Sequence, residues 1–407
     1  MSGIILADKS SVRRSDVPFA LVITLLAQTA VSLLAASVAV LAPAISYERE
    51  WNLSFVALYA PLLYVGAFSI SFRIPWLLSK LGGMGLALGA VLVDALGLAC
   101  LLSPRPPMAV LAALFIGVGY GAMTPASSHI LGPRTTAQNA GMIMSIKQVG
   151  VPMGAMLAGL ILPYFVLQLG WRWTTGGMAV ASVMLTVALL PTVSWLNRLQ
   201  GKAPARVRPL DPVRRLLAIP GMRGLLGATL VYTAMQLCLR SLLTTYMVKD
   251  VGMGLSAAGL ALSFSQGAGM FGQVIWAWLS DRMMTSRTVL AIVGVVMCAG
   301  ALATASLSPR WSVCAVLIVS SVVGFSAAGF IPVILGEVAR HSPPGQVGAL
   351  TSGANLFIIA GAFFGPLTFG AIGRALNYRA AFVVLAIAAA LTAAALLATR
   401  RCTAPAP

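Results

Sequence analysis

The sequence predicts an all-α polytopic membrane protein, with twelve transmembrane helices in two pseudo-symmetric six-helix halves. Apolar runs of about 20 residues recur along the whole chain, each long enough to cross a bilayer as a helix. The composition is 59% hydrophobic and only 9% charged, against roughly 25% charged residues in a soluble domain. A polar, basic stretch at mid-chain divides the runs into two sets of six. Because the runs are continuous and do not alternate, a β-barrel is excluded.

In chain order, a tail at 1–17 carries Lys9, Arg13 and Arg14. The first half, 18–196, holds spans near 18–43, 54–73, 83–103, 107–131, 139–168 and 173–196. The stretch 197–222 is too polar to enter a membrane, and its prolines and basic residues suit a linker. The second half, 223–399, holds spans near 223–247, 256–279, 287–307, 311–339, 347–372 and 379–399. A tail at 400–407 closes the chain. The first run is too long for a signal peptide and more spans follow it, so it reads as a helix that stays.

Loop charge supports this order. With the N-terminus inside, 18 of the 27 basic residues fall in inside segments and 7 in outside loops. That bias places both termini in the cytoplasm, and the expected location is the cell inner membrane, as a multi-pass protein. It also accounts for the net charge of +18 without a nucleic-acid partner. The five cysteines show no paired spacing and read as small apolar residues, so neither a disulfide nor a metal site is expected. No cofactor is implied.

Two basic residues remain inside spans. Lys147 lies in Ser145-Ile146-Lys147-Gln148-Val149-Gly150-Val151-Pro152-Met153-Gly154. An ammonium at bilayer depth costs a few kcal/mol at least and calls for water, a counter-charge or an anionic ligand. Gly150 and Gly154 share its helical face and let another helix come close. Arg240 is the second, on a polar stripe with Thr233, Gln236 and Thr244. The first span carries Thr24, Gln28 and Ser32 on one face. One embedded acid, Asp94, is either a proton acceptor or a structural partner; pairing with Lys147 would cancel a charge.

The halves repeat. An offset of 202 pairs Ser54 with Ser256 and Ser79-Lys80 with Asp281-Arg282. An offset of 207 pairs Gly141 with Gly348, Ser145 with Ser352, Gln148 with Asn355, Gly154 with Gly361 and Arg172 with Arg379. Several matches in register argue for an internal repeat. Two six-helix halves around a midplane site is a transporter architecture. The shared glycines, Gly154 and Gly361 among them, read as scaffold that lets the halves pack and rock. Lys147 has no counterpart, since position 354 is Ala.

Here the chain resembles the major facilitator superfamily, over nearly its whole length. The family's loop motif is partly present as Ala277-Trp278-Leu279-Ser280-Asp281-Arg282. A more degenerate first copy runs from Pro75 through Ser79 to Lys80-Leu81-Gly82. In the family this loop latches the cytoplasmic side, which implies gating roles for Lys80, Asp281 and Arg282; only Asp281 supplies the acid. Glu337 and Arg340 either join that cluster or form a solvated helix end. Gly117-Val118-Gly119-Tyr120-Gly121 with Pro125 is similar to the family's glycine-rich fourth helix, without the arginine often found there. The stretch from Ser145 to Pro152 resembles bacterial cyanate and organic-anion permeases.

The resemblance implies a central cavity lined by the first and seventh helices. The expected substrate contacts are Lys147, Arg240, Gln28, Gln236, Gln148, Asn355 and Tyr120. For Tyr120, packing in the bundle is the competing reading. The expected function is secondary transport of a small anionic solute, an organic acid above all, by alternating access with proton-coupled uptake, carried out by a monomer. The alternative is a proton-driven exporter of drugs or amphiphiles. Two embedded bases against one acid favour the former over cationic drugs. An enzyme is not expected: neither histidine stands in a His-Glu-x-x-His arrangement, and nothing resembles a phosphate-cradling loop.

Overall fold

The computed structural model describes residues 16–49, 59–136, 138–198, 210–249, 251–253, 255–343 and 346–398. Helices make up its regular structure, and no strand occurs among the described residues. Fourteen α-helices follow in order among the described residues. The first seven are α1 Asp16–Arg49, α2 Tyr59–Ser71, α3 Ile74–Leu102, α4 Pro106–Leu131, α5 Ala140–Gln148, α6 Gly150–Leu189 and α7 Thr192–Asn197. Then come α8 Asp211–Ala218, α9 Met222–Lys249, α10 Leu255–Arg282, α11 Ser286–Ala305, α12 Val313–His341, α13 Val347–Ala375 and α14 Tyr378–Ala398. Nine helices among the described residues are long and apolar enough to cross a membrane.

Local chemistry sets several boundaries. Prolines stand in the first turns of α3, α4 and α8, where the missing N–H has no intrahelical partner to lose. Thr285 and Ser312 cap α11 and α12 by accepting hydrogen bonds from the N–H groups of Thr288 and Ala315. Two glycines with positive φ break long helices. Gly82 (φ 69°) interrupts α3 and Gly170 (φ 81°) interrupts α6, a backbone state that costs other residues 1–2 kcal/mol or so. These breaks fall where the sequence places the turns between its second and third and its fifth and sixth spans.

Packing follows the repeat. In the first half α1 lies on α6, α2 on α4 and α3 on α4; in the second, α9 lies on α13, α10 on α12 and α11 on α12. Between the halves, α5 packs on α10 and α12 while α13 packs on α2 and α4. The glycine pair expected from the repeat sits at matching contacts. A Cβ at Gly154 would run into Thr29 O and Leu33 N of α1, and one at Gly361 into Leu230 O and Ala234 N of α9. Both contacts lie inside a half. The glycines weld each half together and do not form the surface between halves, so that part of the expectation is corrected.

The linker is not all extended chain. Its described part contains α8, whose Leu216 is fully buried against Gly353 of α13. Arg215 on its exposed side donates to Gln346 Oε1 at 2.6 Å. The chain at 199–209 lies outside the described residues.

Candidate functional site

A cavity of about 80 Å³ lies between the halves, walled by α2, α4, α5, α6, α9, α10, α12 and α13. Its polar lining is Tyr64, Tyr120, Thr124, Gln148, Thr233, Gln236, Gln266, Gln273 and Asn355. No charged side chain lines it among the described residues. The two halves contribute equivalent positions. Gly121 and Ala328, Thr124 and Ile331, Gln148 and Asn355, Val151 and Ile358, and Pro152 and Ile359 all line it at the offset of 207. Tyr64 and Gln266 do so at 202.

The expected contacts distribute unevenly around this cavity. Gln148, Gln236, Asn355 and Tyr120 line it. Asn355 also reaches across the halves, its Nδ2 donating to Gly121 O at 3.3 Å. Gln28 is buried beside Gly150 and outside the lining, and its Oε1 has no hydrogen-bond partner among the described residues. Arg240 lies on α9, but its side chain, like that of Thr244, lies outside the described residues.

Lys147 stands just behind the wall. It is fully buried, and its Nζ donates to Ser128 Oγ at 2.9 Å and Thr124 O at 3.3 Å. Thr124 itself lines the cavity. No carboxylate pairs with Lys147 among the described residues. Asp94 does not neutralise it. That carboxyl is fully buried on α3, pressed against Gly119 of α4, where a Cβ would collide with it. Neither of its oxygens finds a hydrogen-bond donor among the described residues, so the structural partner expected for Asp94 does not appear there.

At one end of the bundle the halves are joined. Asp281, at the end of α10, accepts from Gly141 N–H at 3.1 Å and Met142 N–H at 2.6 Å, the first turn of α5 in the other half. A helix N-terminus with free N–H groups and its partial positive charge suits a carboxylate. Arg340 bridges Asp281 and Glu337, and Ser286 donates to Glu337 at 2.6 Å. Glu337 and Arg340 are therefore members of the cluster and not a solvated helix end. Arg282 and Lys80 are exposed and form no ion pair among the described residues. Close apolar contacts seal the same end: Gly132 meets Val347, Gly348 meets His129 and Gly336 meets Gly141.

Sequence reading missed two kinds of residue. Gln266 and Gln273 are seven apart on α10, two turns along one face, and that spacing was the available signal. Asn197 clasps the first loop: its Nδ2 donates to Leu81 O at 3.1 Å and its Oδ1 accepts from Met84 N–H at 3.0 Å. That clasp on the Gly82 turn joins residues more than a hundred positions apart, with no local sequence trace.

Comparisons with known proteins agree with this architecture. The chain is similar to a bacterial homologue of the iron transporter ferroportin in its outward-facing state, at 15% identity and a TM-score of 0.74, covering 94% of this chain and 99% of that one. It is similar to the proton:xylose symporter XylE, at 16% identity and a TM-score of 0.71, covering 95% and 96%. It is also similar to the human organic anion transporter MFSD10, at 16% identity and a TM-score of 0.69, covering 94% and 98%. A search of curated proteins gives no match. The Major Facilitator Superfamily profile matches residues 20–325 and 225–407. The chain belongs to the Major Facilitator Superfamily, whose members are transporters.

Proposed function

We propose that this protein is a proton-coupled secondary transporter that takes up a small organic anion by alternating access. One observation carries the reading: a fully buried lysine, Lys147, hydrogen-bonded to Thr124 O and Ser128 Oγ without an acidic partner among the described residues, stands one residue from the cavity wall. An embedded base kept without a counter-charge favours an anion nearby. The likeness of Ser145 to Pro152 to cyanate and organic-anion permeases points the same way. Arg240 is assigned a second contact, reached at another stage of the cycle.

Asp94 is proposed as the carrier of the coupling proton. An ionised carboxylate without a donor at this depth costs several kcal/mol, and Asp94 has no donor among the described residues. The end closed by Asp281 is assigned to the cytoplasm, with both termini, by the loop-charge bias. The protein acts as a monomer in the inner membrane.

A second reading is favoured by the lining itself. Amides and phenols without a charged side chain suit a neutral polyhydroxylated solute. The exporter alternative gains no support from so small and polar a cavity. Reconstituted proteoliposomes test these readings. Under an inward proton gradient, an organic acid should accumulate against its concentration, and Lys147→Ala should abolish this. Accumulation of a polyol and of no acid would overturn the anion reading.

A further inference from the structure

Two of the cavity's glutamines face one another's halves with the same unmet need. Gln148 on α5 is 6% exposed and Gln273 on α10 is 3% exposed. Both line the cavity, and in both the amide oxygen takes no hydrogen bond among the described residues. A buried acceptor left without a donor is costly, and the cost is recovered when a donor arrives. A carboxylate brings only acceptors. It can pair with amide N–H groups, but not with these oxygens. A hydroxyl brings a donor and accepts as well, so it fits an amide that presents both.

We propose that the substrate carries hydroxyl groups in addition to any charge, and that Gln148 and Gln273 select for them by accepting their protons in hydrogen bonds. On the anion reading above, on which this partly rests, the solute is a short hydroxy acid, with its carboxylate toward the Lys147 side and its hydroxyls toward the two glutamines. Gln273 is thereby a specificity residue from the half that lacks an equivalent of Lys147. Selection of this kind is steep, because a ligand without the hydroxyl leaves the site's own buried groups unpaired.

Matched probes test it on the purified full chain. Glycolate against acetate, lactate against propionate and malate against succinate differ by one hydroxyl, and glycerol carries hydroxyls without charge. Thermal stabilisation and equilibrium binding are read for each. In at least one pair the hydroxylated member should bind about tenfold tighter or better. Gln273→Leu and Gln148→Leu should erase that preference, while Gln273→Asn, which keeps a carbonyl acceptor, should retain part of it. Equal binding within every pair, or binding by no hydroxylated probe, overturns the proposal. Glycerol binding with no acid bound upholds the hydroxyl requirement and overturns the anion reading. Acids bound equally well with and without hydroxyls, in a manner dependent on Lys147, do the reverse.

Discussion

Asp281 and Met142 belong to different halves of the chain, and the carboxylate of one accepts the backbone N–H of the other at 2.6 Å. Only 1% of the Asp281 side chain is exposed, so this bond is shielded from water and salt. With the Gly141 N–H and Arg340 it forms the polar core of the joined end.

Removing that charge should open the end. Asp281→Asn keeps the shape and loses the charge, and a hydrogen bond to a charged group contributes about 1.5–3 kcal/mol. A shift of that size changes a two-state population by tenfold or more. Spin labels at Trp76→Cys and Met283→Cys, both exposed near this end, should show a longer, broader distance in Asp281→Asn. An unchanged distance would mean that the apolar contacts alone hold the end shut.

The welding glycines make a stability prediction with an internal control. Gly154→Ala and Gly361→Ala each drive a Cβ into backbone and should cost about 1–3 kcal/mol. A Cβ at Gly159, on the same helix as Gly154, would enter open space, and Gly159→Ala should hold or raise the melting temperature by the helix-propensity gain. Thermal unfolding in detergent checks all three.

Lys147 and Arg240 should differ in what they govern. Lys147→Met removes the buried charge and is expected to weaken anion binding by about tenfold or more, the scale of a charged hydrogen bond. Arg240→Ala should lower the transport rate. Titration calorimetry and liposome uptake together separate the two, and full anion affinity in Lys147→Met would remove that residue from the site.

Asp94→Asn imitates the neutral acid. It should fold with undiminished stability, since both oxygens of Asp94 lack donors among the described residues and ionisation at that depth is costly. It should still exchange substrate across liposomes but fail to concentrate it with a proton gradient. Gradient-driven accumulation in Asp94→Asn would assign the coupling proton elsewhere.

Much of this molecule was legible in the chain. Apolar run length marked the spans, because a helix must be about 20 residues long to satisfy its backbone across a bilayer. The repeat foretold that Gly154 and Gly361 do the same work, and that Gln148 and Asn355 face the same space, because matching positions on matching helices meet matching surroundings. The turns at Gly82 and Gly170 fell where expected, because glycine tolerates positive φ.

What the tertiary structure alone decided is who meets whom. Sequence marked Lys147 and Asp94 as embedded charges, but only packing set them against different partners, Ser128 and Gly119, and kept them apart. Gln266 and Gln273 became cavity residues only when α10 turned that face inward. Asp281 came to join the halves by lying over the first turn of α5, and Asn197 became a clasp by returning to the Gly82 turn. Such contacts depend on the directions of whole helices, which arise from the summed packing of many side chains and which no short stretch of sequence encodes.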